Sequence, residues 1–308
     1  MPGIRIEDLA FVGLRAPDLS RMRRFMEDFG TVEAPTHDAE RLFMRGAGPA
    51  PFLHVTEAGP PGFWCLGLRA ASVDDLLQLA GQEGKTAAAL DAPGGGLYID
   101  LTDPDGFLVR VVAGQDPAPM LEGPAFDPWN SVEARMRLRA PKRLRAGPST
   151  VERLGHIVLA VSDFRRSEAW YKSRFGFLTS DEIEVAPGTS LGAFLRCNRG
   201  ETPTDHHTLF LMQSPAGPGF NHAAFEVRNL DDLMAGREHL LAQAHTPAWG
   251  VGRHVLGSQV FDYWRDPWGH KLEHWTDGDL FTEADGSRKA TLAELAAVQW
   301  GAARPADF

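Results

Sequence analysis

Three side chains in the second half of this sequence, His156, His222 and Glu273, are of the types that hold a metal ion. Each sits in a short segment that alternates as a strand does: LGHIVLAV around His156, FNHAAFEV around His222 and HKLEHW around Glu273. Alternate side chains of a strand share a face, so His156 faces with Val158 and Ala160, His222 with Ala224 and Glu226, and Glu273 with Lys271 and Trp275. If the sheet carrying them curls, the three converge on its concave side. Two neutral imidazoles and one carboxylate bind a divalent metal and leave one face open. At Fe(II), that open face lets a substrate and O2 bind side by side. Mn(II) suits a similar donor set. Taken singly, a histidine on an apolar strand is more often a hydrogen-bonded core residue, and Glu273 alone could pair with Lys271 or a neighbouring histidine.

The elements that must position these residues occur twice. LAFVGLRAPDLSRMRRFMEDFG (9–30) and LGHIVLAVSDFRRSEAWYKSRFG (154–176) both read as a strand, an Asp near a helix start, and an amphipathic helix ending at Phe-Gly. FWCLGLRAASVDDLLQLA (63–80) and FNHAAFEVRNLDDLMAGREHL (220–240) both read as a strand and a helix opened by Asp-Asp, which complements the helix dipole. YIDLTDPDGFLVRVV (98–112) and DYWRDPWGHKLEHW (262–275) share a strand, an Asp-Pro-x-Gly turn and a strand. The expected class is α+β, with paired βαβββ modules forming a curled mixed sheet in each half. The expected divisions are 1–114, a connector over 115–149, a second domain over 150–280, and a tail over 281–308 with a short helix near TLAELAAVQW.

The duplication supplies an internal control. Where the second copy has His156, His222 and Glu273, the first has Phe11, Cys65 and Arg110. His222 and Cys65 each precede the first Asp of the Asp-Asp pair by nine residues, and Glu273 and Arg110 each follow the Asp of Asp-Pro by seven. One module is expected to carry metal and the other to lack it.

Composition bounds the rest. A chain of 308 residues with 43% hydrophobic and 23% charged residues is that of a soluble globular protein with room for two cores. Its formal charge of −10 gives no general attraction for nucleic acid or anionic membrane. The basic run Arg135, Arg137, Arg139, Lys142, Arg143 and Arg145 lies in the Pro-containing connector without interleaved aromatics and reads as a solvated face. Cys65 and Cys197 form no CxxC pattern or disulfide framework, and neither a signal peptide nor an apolar run long enough to span a membrane is apparent. A cytoplasmic location and a symmetric homo-oligomer are the expectations.

The segment GRHVLGSQVFDYWRDPWGHKLE (252–273) resembles the signature of the type I extradiol ring-cleaving dioxygenases, a branch of the vicinal oxygen chelate superfamily. The matching residues are His254, Tyr263, Asp266-Pro267, Gly269 and Glu273, while LGHIVLAVSD and FNHAAFEV resemble the first two ligand strands. The resemblance covers nearly the whole chain and implies tandem glyoxalase/bleomycin-resistance-like domains with metal in the C-terminal one only. It implies that Fe(II), with Mn(II) as the alternative, takes a catechol-type diol and O2 as co-substrate, cutting the ring beside the diol to give a semialdehyde or keto acid. By its spacing to His222, His207 in HHTLFLMQS (206–214) resembles the family's acid–base histidine, His206 being the weaker choice. His254 and Tyr263 resemble the residues that hydrogen-bond the bound diol. Asp262 departs from the pattern, which has an apolar residue there, and implies a different pocket wall. Two alternatives remain: a metal-dependent isomerase or lyase of the same superfamily, or a non-catalytic binder of aromatic compounds with Trp249, Trp264, Trp268 and Trp275 lining its cavity.

Overall fold

The alternating segments form strands in the computed structural model of the chain, which describes residues 3–36, 38–121, 128–306 and 308. The first half runs β1 (Ile6–Ala16), α1 (Leu19–Asp28), β2 (Val32–Glu33), β3 (Arg41–Arg45), β4 (His54–Ala58) and β5 (Gly62–Ala70). It continues with α2 (Val73–Gln82), β6 (Ala88–Ala89), β7 (Leu97–Thr102) and β8 (Leu108–Ala113). The second half repeats this as β9 (Val151–Val161), α3 (Phe164–Phe175), β10 (Leu178–Ala186), β11 (Thr189–Arg196), β12 (Thr204–Asp205) and β13 (Leu209–Gln213). There follow β14 (Gly219–Val227), α4 (Leu230–Ala242), β15 (Thr246–His254), β16 (Val260–Arg265) and β17 (Lys271–Thr276). The chain ends with β18 (Leu280–Phe281), β19 (Arg288–Thr291), α5 (Leu292–Ala296) and β20 (Val298–Gly301).

Among the described residues the first half forms an eight-stranded mixed sheet, β2-β3-β4-β1-β5-β8-β7-β6, and the second a ten-stranded one, β19-β10-β11-β13-β9-β14-β17-β16-β15-β20. In each, the long first strand pairs antiparallel with the strand that opens the second module: β1 with β5, and β9 with β14. The local signals act as their chemistry requires. Asp18 and Asp163 cap α1 and α3 by accepting from Arg21 N and Arg166 N. Asp74 and Asp75, and Asp231 and Asp232, occupy the first turns of α2 and α4. Gly106 and Gly269 take positive φ (90° and 92°) in the Asp-Pro-x-Gly hairpins, a conformation that costs other residues energy.

The halves share one apolar core that runs through Phe25 and Phe29 of the first and Phe225 and Leu240 of the second. Burying a phenylalanine such as Phe29 contributes roughly 1.5–3 kcal/mol. Its ring stacks on His274 at 3.8 Å, and His274 Nε2 donates to the Phe29 carbonyl at 2.7 Å. The tail is part of the second sheet: β19 pairs with β10 at one edge and β20 with β15 at the other. The short helix near TLAELAAVQW is α5, and the residues after it form a strand instead. The connector's arginines are exposed or half-buried, and Lys142 pairs with Asp231 at 2.5 Å. Both cysteines are buried and free. No helix among the described residues is long and apolar enough to cross a membrane.

Candidate metal centre

Strand register places the three candidate ligands. β9, β14 and β17 are neighbours, and Ala224 of β14 pairs with His156 on one side and with Glu273 on the other. Cross-strand partners share a face, so His156 and Glu273 flank Ala224, and His222, two residues earlier on β14, points the same way. The single methyl of Ala224 leaves a gap between them. One donor atom from each of the three lies within 4.8 Å of the others. His156 Nε2 is 3.1 Å and His222 Nε2 3.3 Å from Glu273 Oε2.

The electrostatics of that gap fit a cation. Glu273 is wholly buried with imidazoles rather than a lysine or arginine against it, and burial raises its carboxyl pKa. Burial lowers His156 to about 3 and His222 to about 4, so both rings are neutral near pH 7 and keep a lone pair. Among the described residues, Glu273 Oε1 and His222 Nε2 have no hydrogen-bond partner. Such unpaired buried groups are costly unless a ligand takes them up, and a divalent metal is the ligand that an N,N,O donor set selects. The other nitrogen of His222, Nδ1, donates to Asn221 Oδ1 at 2.8 Å, which leaves Nε2 bare.

A cavity of about 570 Å³ opens over this gap. His156, His207, His222, His254 and Tyr263 all line it, with Glu273 buried beneath. The His207 ring lies 4.0 Å from that of His156, and burial together with the surrounding histidines holds its pKa well below the ordinary value. Tyr263 faces Glu273 across the β16–β17 register, and its hydroxyl lies 3.0 Å from His254 Nε2. Burial raises the Tyr263 phenol well above its ordinary pKa and lowers His254 to about 3.

Some site residues carried no readable signal. Asn221 is simply the residue before His222. Phe194 and Phe210, stacked at 4.0 Å, form one wall, and Leu292, Leu295, Arg304 and Phe308 of the tail form another. Of the four tryptophans expected around an aromatic-binding cavity, Trp249 lines it. Trp264 and Trp275 are instead core residues, and Trp268 packs against the shared core. Asp262 is not a pocket wall. It is wholly buried on the strand face opposite Tyr263, where it pairs with Arg237 of α4 at 2.5 Å and accepts from Trp264 Nε1 at 2.8 Å. Burial there raises its pKa to about 7, against the pull of Arg237.

Residues 153–274, which span all three candidate ligands, match the Glyoxalase/Bleomycin resistance protein/Dioxygenase superfamily. Over its whole length the chain is 26% identical to metapyrocatechase 2 of Cupriavidus necator, covering 92% of that protein. Over 158 residues the chain is also 28% identical to an iron-dependent extradiol dioxygenase of Rhodococcus jostii, covering 50% of that protein. Its tandem fold is shared by two solved structures of differently named enzymes. One is a Mn(II)-bound glyoxalase from Novosphingobium aromaticivorans, with TM-score 0.80, 22% identity, and 98% of this chain and 93% of that one covered. The other is a variant of homoprotocatechuate 2,3-dioxygenase from Brevibacterium fuscum, with TM-score 0.76, 18% identity, and 94% and 77% covered. The fold alone therefore does not choose the chemistry, and the side chains of the site must.

Proposed function

We propose that the chain opens the ring of a catechol-type diol with O2, cutting the bond beside the diol, at a single Fe(II) held by His156, His222 and Glu273. The observation that carries this reading is the convergence of three donors, two of them with unpartnered atoms, beneath a largely apolar cavity that also holds His207, His254 and Tyr263. When bound, the metal supplies Lewis acidity to the diol oxygens and an open position for O2. The protein's own part is positioning and proton movement. His207, kept neutral by its surroundings, accepts a proton from the diol and later returns one. Tyr263, kept protonated, and His254 steady the diol oxygens by hydrogen bonds as charge develops. Phe194, Phe210 and Trp249 confine the flat ring and exclude water.

Mn(II) suits the same donors, and a metal assay on purified protein distinguishes the two. A glyoxalase-like reading is disfavoured because no fourth His, Cys, Asp or Glu joins the trio among the described residues. A binder would need no such trio. The test is anaerobic loading with Fe(II), then a panel of monocyclic, bicyclic and trihydroxylated substrates followed by O2 uptake and by the yellow ring-opened product. Uptake of one O2 per diol with a ring-opened product is expected. Loaded protein that consumes no O2 with any of the panel would overturn the proposal.

A further inference from the structure

His207 does not stand alone. Its Nδ1 is 3.0 Å from Nδ1 of His206, and His206 Nε2 is 2.7 Å from Asp181 Oδ2. Asp181 Oδ1 in turn lies 2.6 Å from Arg288 Nε, on the strand β19 contributed by the tail. Asp181, His206 and His207 are all buried. The His206 ring is held on every side. Phe194 and Phe281 lie at 5.0 and 5.5 Å, and Gly257, at φ 78°, approaches so closely that a Cβ there would stand 2.9 Å from Nδ1. Its backbone is fixed as well: its N–H donates to Asp279 O at 2.9 Å, and its carbonyl accepts from Ser180 Oγ at 2.6 Å.

Hydrogen-bond directions along this chain are determined from its far end. A carboxylate only accepts, so a neutral His206 carries its proton on Nε2 and gives it to Asp181. His206 Nδ1 is then a bare acceptor, and the hydrogen between the two Nδ1 atoms must come from His207. With its proton on Nδ1, His207 has a bare Nε2, the ring nitrogen without a hydrogen bond among the described residues, on a side chain that lines the cavity. We propose that Asp181 and His206 are positioning residues that hold His207 in the Nδ1–H tautomer and so present its Nε2 as a base toward the cavity. This rests on the functional reading above and names what makes His207 competent in it. Asp181 suits the part. Burial works to raise its pKa, but the His206 hydrogen bond and the Arg288 charge hold it below the ordinary value, so it stays an acceptor.

The decisive substitution is Asp181→Asn. An amide turned to donate to His206 Nε2 moves the His206 proton to Nδ1, which reverses the bond to His207 and places the His207 proton on Nε2. With [15N]histidine-labelled, metal-free full-length protein, long-range 1H–15N spectra read the tautomer directly, and His207→Phe assigns the resonance. The expected wild-type pattern is protonated Nδ1 and bare Nε2, reversed in Asp181→Asn. In loaded enzyme the same variant should lose about 10²- to 10⁴-fold in kcat, as a base in the wrong tautomer does, with metal content and KM little changed. If Asp181→Asn fails to fold, His206→Asn serves. Its Oδ1 can accept from His207 Nδ1, so tautomer and turnover should persist, whereas His206→Phe should lose the tautomer preference. An Nε2–H tautomer in the wild type, an unchanged tautomer in Asp181→Asn, or a reversed tautomer with full turnover would each overturn the proposal. The spectra need no turnover, so a failure of the dioxygenase reading would show separately, as absent O2 uptake with the tautomer pattern intact.

Discussion

The two halves lay the same strands in the same register and do opposite things with them. In the second, β14 and β17 pair so that Ala224 lies opposite Glu273; in the first, β5 and β8 pair so that Gly67 lies opposite Arg110. Around that shared frame the first half fills its concave face. Phe11, at the place of His156, packs its ring 5.0 Å from Phe52, which stands where His207 stands, in a cluster with Phe43, Val55 and Cys65. Arg110 forms a two-pronged pair with Asp100 at 2.7 and 2.8 Å and lies over the Tyr98 ring, whereas Glu273 has Tyr263 at the place of Asp100. Burial pushes the Cys65 thiol pKa up, so it is not a ready thiolate ligand. The fold therefore needs no metal. Where apolar side chains and an ion pair complete the first half, the second keeps a cavity and unpaired donors, and that difference is where function resides.

Copying the first half into the second is the harshest test. Glu273→Arg alone would bury a cation without a counter-charge and should cost about 3–5 kcal/mol by denaturant unfolding. Adding Tyr263→Asp, to rebuild the Asp100–Arg110 pair, should restore about half of that loss while metal analysis and turnover both read zero. Retained metal in the double variant would break the comparison. His207→Phe, copying Phe52, should keep the metal but lower kcat by about 10²- to 10⁴-fold. Loss of metal instead would mean that His207 is a ligand.

Each half also buries one neutral histidine away from the donors' lone pairs. His54 and His274 are both 0% exposed, and burial lowers each pKa from 6.5 to about 4. The unfolded chain takes up protons below about pH 6.5, while the folded chain holds off until about 4. Stability should therefore fall as pH drops through that window, by up to about 1.4 kcal/mol per pH unit for each histidine. His54→Leu should remove one histidine's share of that fall, up to about 1.4 kcal/mol per pH unit, in urea unfolding measured from pH 7 to 4.5, and an unchanged slope would refute the assignment. The smallest effect expected is that of Arg110→Ala, which frees the part-exposed Asp100 and should cost about 0.5–1 kcal/mol with metal content and kcat intact.

Much of this was readable in the residues. The repeat, the capping aspartates, the Asp-Pro-x-Gly hairpins and the strand faces of His156, His222 and Glu273 are local patterns, and local patterns survive folding. The offsets between His222 and Asp231, and between Glu273 and Asp266, recur in the first copy, so even the register could be read by comparison. Contacts that depend on how distant segments return were not readable. Residues 281–308 read as a tail, yet supply both edge strands of the second sheet and the Phe308 ring 4.7 Å from Tyr263. Asp181 is 25 residues from His206, and no spacing rule joins them. Asp262 looked like a pocket residue because it precedes Tyr263, but adjacent strand residues face opposite ways, and Arg237 had not been anticipated as its partner.

The central claim, one metal centre made by the second half alone, is tested most directly by anaerobic titration of metal-free protein with Fe(II). The account predicts saturation at one equivalent per chain, abolished by His222→Ala and untouched by Cys65→Ala. Two equivalents in the wild type, or one equivalent surviving in His222→Ala, would contradict it.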